Sequence, residues 1–294
     1  LTCKDRPIDP ERTSLTALGA ALMRAVHTRL DRPVLIDDPW GERLITTDER
    51  EILRGTADDL DTVLRAHPSY GTVILRARYA EDVLAEAVAR GVRQYVIVGA
   101  GMDSFALRRP AFAAELEIFE IDHPATQQFK MRRLANCGVA LPPGLRFVPA
   151  DLTEIPLDAA LTGSSFRPDR QAVFAWLGVT SYLARSANLA TLRAIASCAA
   201  PGSELVFTYL DQRIFEIDPE ISAMQEARAA LASAGEPWVS GFHPDRLGDD
   251  LRTTGFELVA NLGPEELHAR YCADRADGLA PSPSAYVARG RITT

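Results

Sequence analysis

The chain has 294 residues, 47% of them hydrophobic, and 32 Lys and Arg against 40 Asp and Glu give a formal net charge of −8. That size and apolar content can bury one large core, or a core with a cap, and the acidic balance without any dense Lys/Arg cluster excludes a phosphate-backbone partner. No stretch is long and apolar enough for a membrane span, no apolar leader follows Leu1, and the four cysteines fit no zinc or redox spacing, so a cytoplasmic enzyme without a metal is expected.

Residues 1–90 read as helices and turns that form a cap over a ligand site. Ser14 is a helix-cap candidate, and Leu15, Leu18, Leu22 and Val26 recur at helical spacing behind it. A second helix starts near Ser69 and runs through Arg76, Arg78 and Tyr79 towards Val88. Arg78 could grip a ligand carboxylate in a two-pronged pair, or simply sit solvated on the helix surface.

Residues 91–210 carry the alternation of strands and helices that sets the fold class. Strands are expected at Gln94–Val98, Glu117–Ile121, Leu145–Pro149, Ala172–Leu177 and Glu204–Leu210, with Gly91, Pro124, Gly138 and Pro201-Gly202 marking helix ends and turns. Two more strands, Phe256–Asn261 and Ala285–Arg289, close the list in residues 245–294, and their connection could be a hairpin. The pattern predicts a Rossmann-like, doubly wound α/β sheet of seven strands, mostly parallel with one antiparallel strand near an edge.

The most informative motif is Tyr95-Val-Ile-Val-Gly99-Ala100-Gly101-Met-Asp103-Ser104, answered by Ile118-Phe-Glu-Ile-Asp122. A buried strand ending in a glycine pair, with a carboxylate 21 residues past Gly101 at the end of the next strand, suits a cofactor that carries a ribose. A dinucleotide fingerprint would want glycine where Ser104 stands, and Asp103 would repel a pyrophosphate at the helix start. A ribose ligand without phosphate fits better, which describes S-adenosylmethionine; an NAD-dependent oxidoreductase is the weaker cofactor alternative. Asp103 can equally be an ordinary helix cap.

Together with Glu120-Ile-Asp122-His123-Pro124, Ala150-Asp151-Leu152, Trp176-Leu177-Gly-Val-Thr-Ser-Tyr182 and Glu236-Pro-Trp238, this motif resembles the leucine carboxyl methyltransferase superfamily. The likeness is greatest to its bacterial branch of polyketide carboxyl O-methyltransferases and mycobacterial O-methyltransferases. The resemblance implies a class I methyltransferase sheet and S-adenosylmethionine, with S-adenosylhomocysteine as product. It places Arg78 on the methionine carboxylate, Gly99, Ala100 and Gly101 under the cofactor, Asp122 on the ribose with His123 beside it, and Asp151 and Leu152 at the adenine. The chain departs from many members at Leu177, where an acidic residue is common.

Methyl transfer to a carboxylate needs positioning more than a base, whereas an alcohol or phenol acceptor would want one, such as His123 or His243. Tyr182 and Tyr209 follow the fourth and fifth strands, at the sheet edge where ligands bind in such folds. Residues 211–244 read as a lid with a helix around Ile221–Leu231, and Trp238 and Phe242 are expected to line an apolar acceptor site or to pack on the core. The expected activity is methyl transfer to a small-molecule acid. A protein C-terminal carboxyl methyltransferase and a cofactor-binding protein without chemistry are the alternatives.

Overall fold

The structure is a computed structural model, described for residues 14–216 and 237–293. The lid helix expected around Ile221–Leu231, and Glu236 of the lid motif, lie outside the described residues.

Among the described residues, five helices precede the sheet: α1 (Leu15–Leu30), α2 (Trp40–Leu44), α3 (Thr47–Arg54), α4 (Leu60–Ala66) and α5 (Tyr70–Ala89). Ser14 caps α1 as expected, its hydroxyl accepting from the Ala17 N–H at 3.1 Å. The seven strands are β1 (Gln94–Val98), β2 (Glu117–Asp122), β3 (Leu145–Pro149), β4 (Ala172–Trp176), β5 (Glu204–Leu210), β6 (Phe256–Leu262) and β7 (Ala285–Ile292). Among them lie α6 (Phe105–Arg108), α7 (Pro124–Asn136), α8 (Leu157–Thr162), α9 (Arg185–Cys198), α10 (Leu247–Arg252) and α11 (Pro264–Tyr271).

The sheet order is β3-β2-β1-β4-β5-β7-β6. All neighbours are parallel except β7, which runs antiparallel to both β5 and β6. The last two strands do pair directly, but β7 inserts inside β6, so the antiparallel strand is second from the edge. The chain order reverses between β1 and β4, and ligands bind such sheets beyond the carboxyl ends of the strands at that switch.

β1, β4 and β5 are buried along their whole length, which is why their sequences are nearly continuous apolar runs. Their side chains still sort with a period of two. Val96 and Val98 join Phe174, Trp176, Phe207, Leu192 and Ile195 on the face covered by α8 to α10, while Tyr95 and Ile97 face α5 and α6 with Phe105 and Leu116. A third cluster joins α1, α4 and α5 to Val206 and Val287, so the N-terminal helices dock on the sheet rather than hang from it. No helix among the described residues is long and apolar enough to cross a membrane.

Candidate active site

The loop after β1 turns at Gly99 and Gly101, both with positive φ (70° and 48°), a conformation that costs glycine little and other residues much. The turn closes on the next strand: the Gly101 N–H donates to Asp122 Oδ2 at 2.5 Å and the His123 N–H to Asp122 Oδ1 at 2.7 Å. A carboxylate offers about four lone-pair positions, so each Asp122 oxygen keeps one for a further donor, which matches the two hydroxyls of a ribose. Burial pushes the Asp122 carboxyl above its usual range, against those two backbone N–H groups and the charges of Lys130 and His123. Asp103 caps α6 by accepting from the Phe105 N–H at 2.8 Å, the structural role open to it from sequence.

The cap seals this loop. The Ala17 side chain of α1 lies over Gly101, where a Cβ would come within 3.3 Å of it. Arg24 of α1 donates to the Met102 carbonyl at 3.0 Å and to Asp38 at 2.6 Å. Asp38 also accepts from Ser104 and has Arg108 at 3.9 Å. Burial opposes the Asp38 charge, but Arg24, Arg108 and the Ser104 hydroxyl outweigh it, and the carboxyl stays below its usual range.

Just beyond β3, Asp151 accepts from Thr153 through Oδ1 and stands 3.8 Å from His123 Nε2. Leu152 packs half-buried on the neighbouring core, and the remaining edge of the His123 ring is tied to the start of α7 through the Ala125 N–H. These residues flank Asp122 at the carboxyl ends of β2 and β3.

Beyond β4 and β5 opens a cavity of about 230 Å³. Its floor is Ser69 at the start of α5 with one stripe of that helix, Thr72, Val73 and Arg76, and α1, α3 and α4 supply Leu15, Leu53 and Val63. The sheet end carries Gly178, Thr180, Tyr182 and Thr208. Thr208 holds this edge in shape, accepting from the Gly178 N–H at 2.7 Å through its hydroxyl and from Thr180 Oγ1 at 2.6 Å through its carbonyl.

Arg76, not Arg78, faces the cavity. Two residues on a helix stand about 200° apart, so the two guanidinium groups cannot serve one face. Arg78 is turned outwards, 41% exposed, pairing with Asp82 at 2.8 Å and donating to the Leu35 carbonyl at 3.2 Å. Arg76 has no hydrogen-bond or ion-pair partner among the described residues. Burial pushes its guanidinium down to about 10, with Tyr182 and Asp103 acting the other way, so it stays cationic at neutral pH and would gain from an anion.

Of the residues predicted to face the acceptor, Tyr182 and Trp238 line the cavity. The Trp238 segment is fixed to the turn after β4: the Val239 N–H donates to the Ser181 carbonyl at 2.7 Å, and Ser240 Oγ to that of Leu183 at 2.6 Å. Phe242 is different. It is fully buried and packs edge-on against Phe207 and Tyr209, on the core side of the sheet. Tyr209 also borders the cavity, but its ring stacks on Tyr286 and its hydroxyl donates to Asn261 at 2.8 Å, so it presents no polar group to a ligand there. Leu177 packs, partly buried, between the two cores of that face and adds no polar contact.

The leucine carboxyl methyltransferase family model matches residues 17–196, well over half of the chain. The chain belongs to the leucine carboxyl methyltransferase family. It is 31% identical over 286 residues to YktD of Bacillus subtilis (strain 168), covering 91% of this chain and 94% of that one; YktD bears the name of an S-adenosyl-L-methionine-dependent methyltransferase. A Mycolicibacterium smegmatis relative with the same class of name is 34% identical over 204 residues, covering 68% of this chain and 67% of that one. Among solved structures, a methyltransferase from Thermobifida fusca YX shares the fold at TM-score 0.55 and 18% identity, covering 86% of this chain and 94% of that one. A DUF574 family protein from Streptomyces avermitilis does so at TM-score 0.54 and 17% identity, covering 85% and 96%.

The protein is therefore an S-adenosylmethionine-dependent methyltransferase of class I fold. The donor set fits that cofactor: a half-engaged carboxylate at Asp122, a tight glycine turn beside it, and a partnerless guanidinium at Arg76. Sequence reasoning missed Arg76 by favouring the neighbouring arginine. The signal was there in the i, i+3, i+4, i+7 spacing of Ser69, Thr72, Val73 and Arg76, which aligns Arg76 with a small-residue stripe.

Proposed function

We propose that this methyltransferase esterifies a small carboxylic acid with an apolar body. The supporting observation is the composition of the cavity wall: aliphatic side chains, Trp238, nine hydroxyl-bearing residues, Arg76 and His67, with no Asp or Glu among the described lining residues. An alcohol or phenol would need a base to remove its proton, but a carboxylate is already ionised at neutral pH.

In this reading Arg76 takes the methionine carboxylate, the role expected of Arg78, and Asp122 takes the ribose hydroxyls. Asp151 and Leu152 meet the adenine, and Gly99 to Gly101 leave room for the cofactor. When bound, S-adenosylmethionine supplies a sulfonium-bound methyl group, and its transfer to a carboxylate oxygen leaves S-adenosylhomocysteine and a methyl ester. Tyr182 donates its hydroxyl hydrogen to the acceptor and orients it. The cap helices and Trp238 exclude water, which favours the meeting of an anion and a cation whose charges cancel as the bond forms. The partner is a small molecule; the walled cavity suits it better than the C-terminus of a folded protein, which would call for an open groove.

The test is incubation with S-adenosylmethionine and matched aliphatic and aromatic acids and alcohols, with mass spectrometry of the products. Methyl esters from the acids, and no ethers from the alcohols, are expected; the reverse pattern overturns the carboxylate assignment.

A further inference from the structure

His67 lies between α4 and α5 and lines the cavity at the end away from the sheet. Its Nδ1 accepts from the Ser69 N–H at 3.1 Å. A ring nitrogen that accepts a hydrogen bond carries no proton, so the neutral ring holds its hydrogen on Nε2. Burial alone pushes His67 below its usual value, with no charged group contributing, which keeps that tautomer at neutral pH. No group among the described residues accepts from Nε2. The result is a fixed N–H donor in the cavity wall, which Leu15, Leu53 and Val63 line together with the hydroxyl residues Thr16 and Ser69.

Ser69, which precedes α5, and Arg76 on it are seven residues apart, about 10 Å along the helix axis, and His67 lies further still towards that end. The cavity thus has Arg76 at the sheet and the oriented ring N–H of His67, with the Ser69 hydroxyl near it, at the far end, with aliphatic side chains and further hydroxyls between. We infer that His67 is a specificity-determining residue, which selects acids carrying a second, hydrogen-bond-accepting oxygen, such as a ketone, near the far end of their apolar chain. This rests on the reading of the cavity as a carboxylate-acceptor site. His67 is no general base here, because the nitrogen that could take a proton is held by Ser69.

The experiment is calorimetric titration of the full chain, saturated with S-adenosylhomocysteine, with octanoate and with 7-oxooctanoate. The wild type is expected to prefer the oxo acid by roughly five- to tenfold, the effect of one neutral hydrogen bond in a dry site. His67→Asn keeps an oxygen for the Ser69 N–H but has no donor at the Nε2 position, and its preference should vanish. His67→Gln carries an N–H near that position and should retain part of the preference. Unchanged S-adenosylhomocysteine affinity in both variants shows that they are folded. Equal binding of the two acids by the wild type, or a preference that survives in His67→Asn, overturns the inference alone. If neither acid binds while S-adenosylhomocysteine does, the carboxylate-acceptor reading falls and takes the inference with it.

Discussion

The guanidinium of Arg76 occupies the space in which a side chain at position 178 would begin: a Cβ on Gly178 would stand 2.5 Å from Arg76 Nη1. Gly178 also has φ of 74°, so the turn after β4 and the helix before β1 are fitted to each other through the absence of a side chain. Gly178 of the Trp-Leu-Gly motif and the arginine of α5 thus line one cavity, though about 100 residues separate them.

Gly178→Ala should therefore displace Arg76 and strain the turn together. Binding of S-adenosylhomocysteine is expected to weaken by about tenfold or more, of the order of one lost charge-assisted contact. Calorimetry reads this directly, and a circular dichroism melt checks that the strain has not unfolded the protein.

Cofactor affinity should fall in acid earlier than an ordinary aspartate would allow. Burial raises the Asp122 carboxyl above its usual value, and ribose hydroxyls donate to the ionised form. The ligand thus favours the deprotonated state, so lowering the pH weakens binding as Asp122 takes up its proton, with onset above the usual 3.8. In Asp122→Asn the affinity should be low throughout, and this part of the pH dependence should disappear. Titrations of both proteins between about pH 5 and 8 make the comparison.

Arg24 and Asp38 tie the cap to the glycine loop, and the Asp38 side chain is fully buried. Arg24→Leu leaves that carboxylate without its nearest cationic partner and removes the donor to the Met102 carbonyl, for an expected cost of about 3–5 kcal/mol. The double variant Arg24→Leu, Asp38→Leu should recover part of this, because no unpaired charge remains buried. Denaturant unfolding gives the stabilities, and a single variant indistinguishable from wild type contradicts the role assigned to the pair.

Trp238 and Phe242, four residues apart, should respond in opposite ways. Trp238→Ala enlarges the cavity and should raise the acceptor KM with little change in stability or cofactor affinity. Phe242→Ala removes a ring from the core and should cost about 3–5 kcal/mol of stability while leaving the folded enzyme's acceptor KM nearly unchanged. Paired unfolding and steady-state kinetics separate the two.

The sheet was legible because β1, β4 and β5 are buried on both faces and so appear as unbroken apolar runs with chemically marked ends. The position of β7 between β5 and β6 was not, since nothing local to Ala285–Ile292 distinguishes an edge strand from its neighbour. Asp122 and the glycine turn could be read in sequence because they fall at consecutive strand ends in a fixed register. The acceptor side was harder. Tyr209 and Phe242 stand near the cavity in chain order, yet strand alternation and the bridge between Asp211 and Phe242 direct both rings into the core. His67 lies in a short connection between two helices, where no periodicity announces which way a side chain faces.

The most direct measurement is calorimetric titration of S-adenosylhomocysteine into the wild type, Arg76→Leu and Arg78→Leu. Arg76→Leu is expected to weaken binding by about 10- to 100-fold, the scale of a hydrogen-bonded charge pair in a partly dry site, and Arg78→Leu by less than about twofold. Wild-type affinity in Arg76→Leu, with the loss appearing in Arg78→Leu instead, would contradict the assignment of the cavity's guanidinium to the methyl donor.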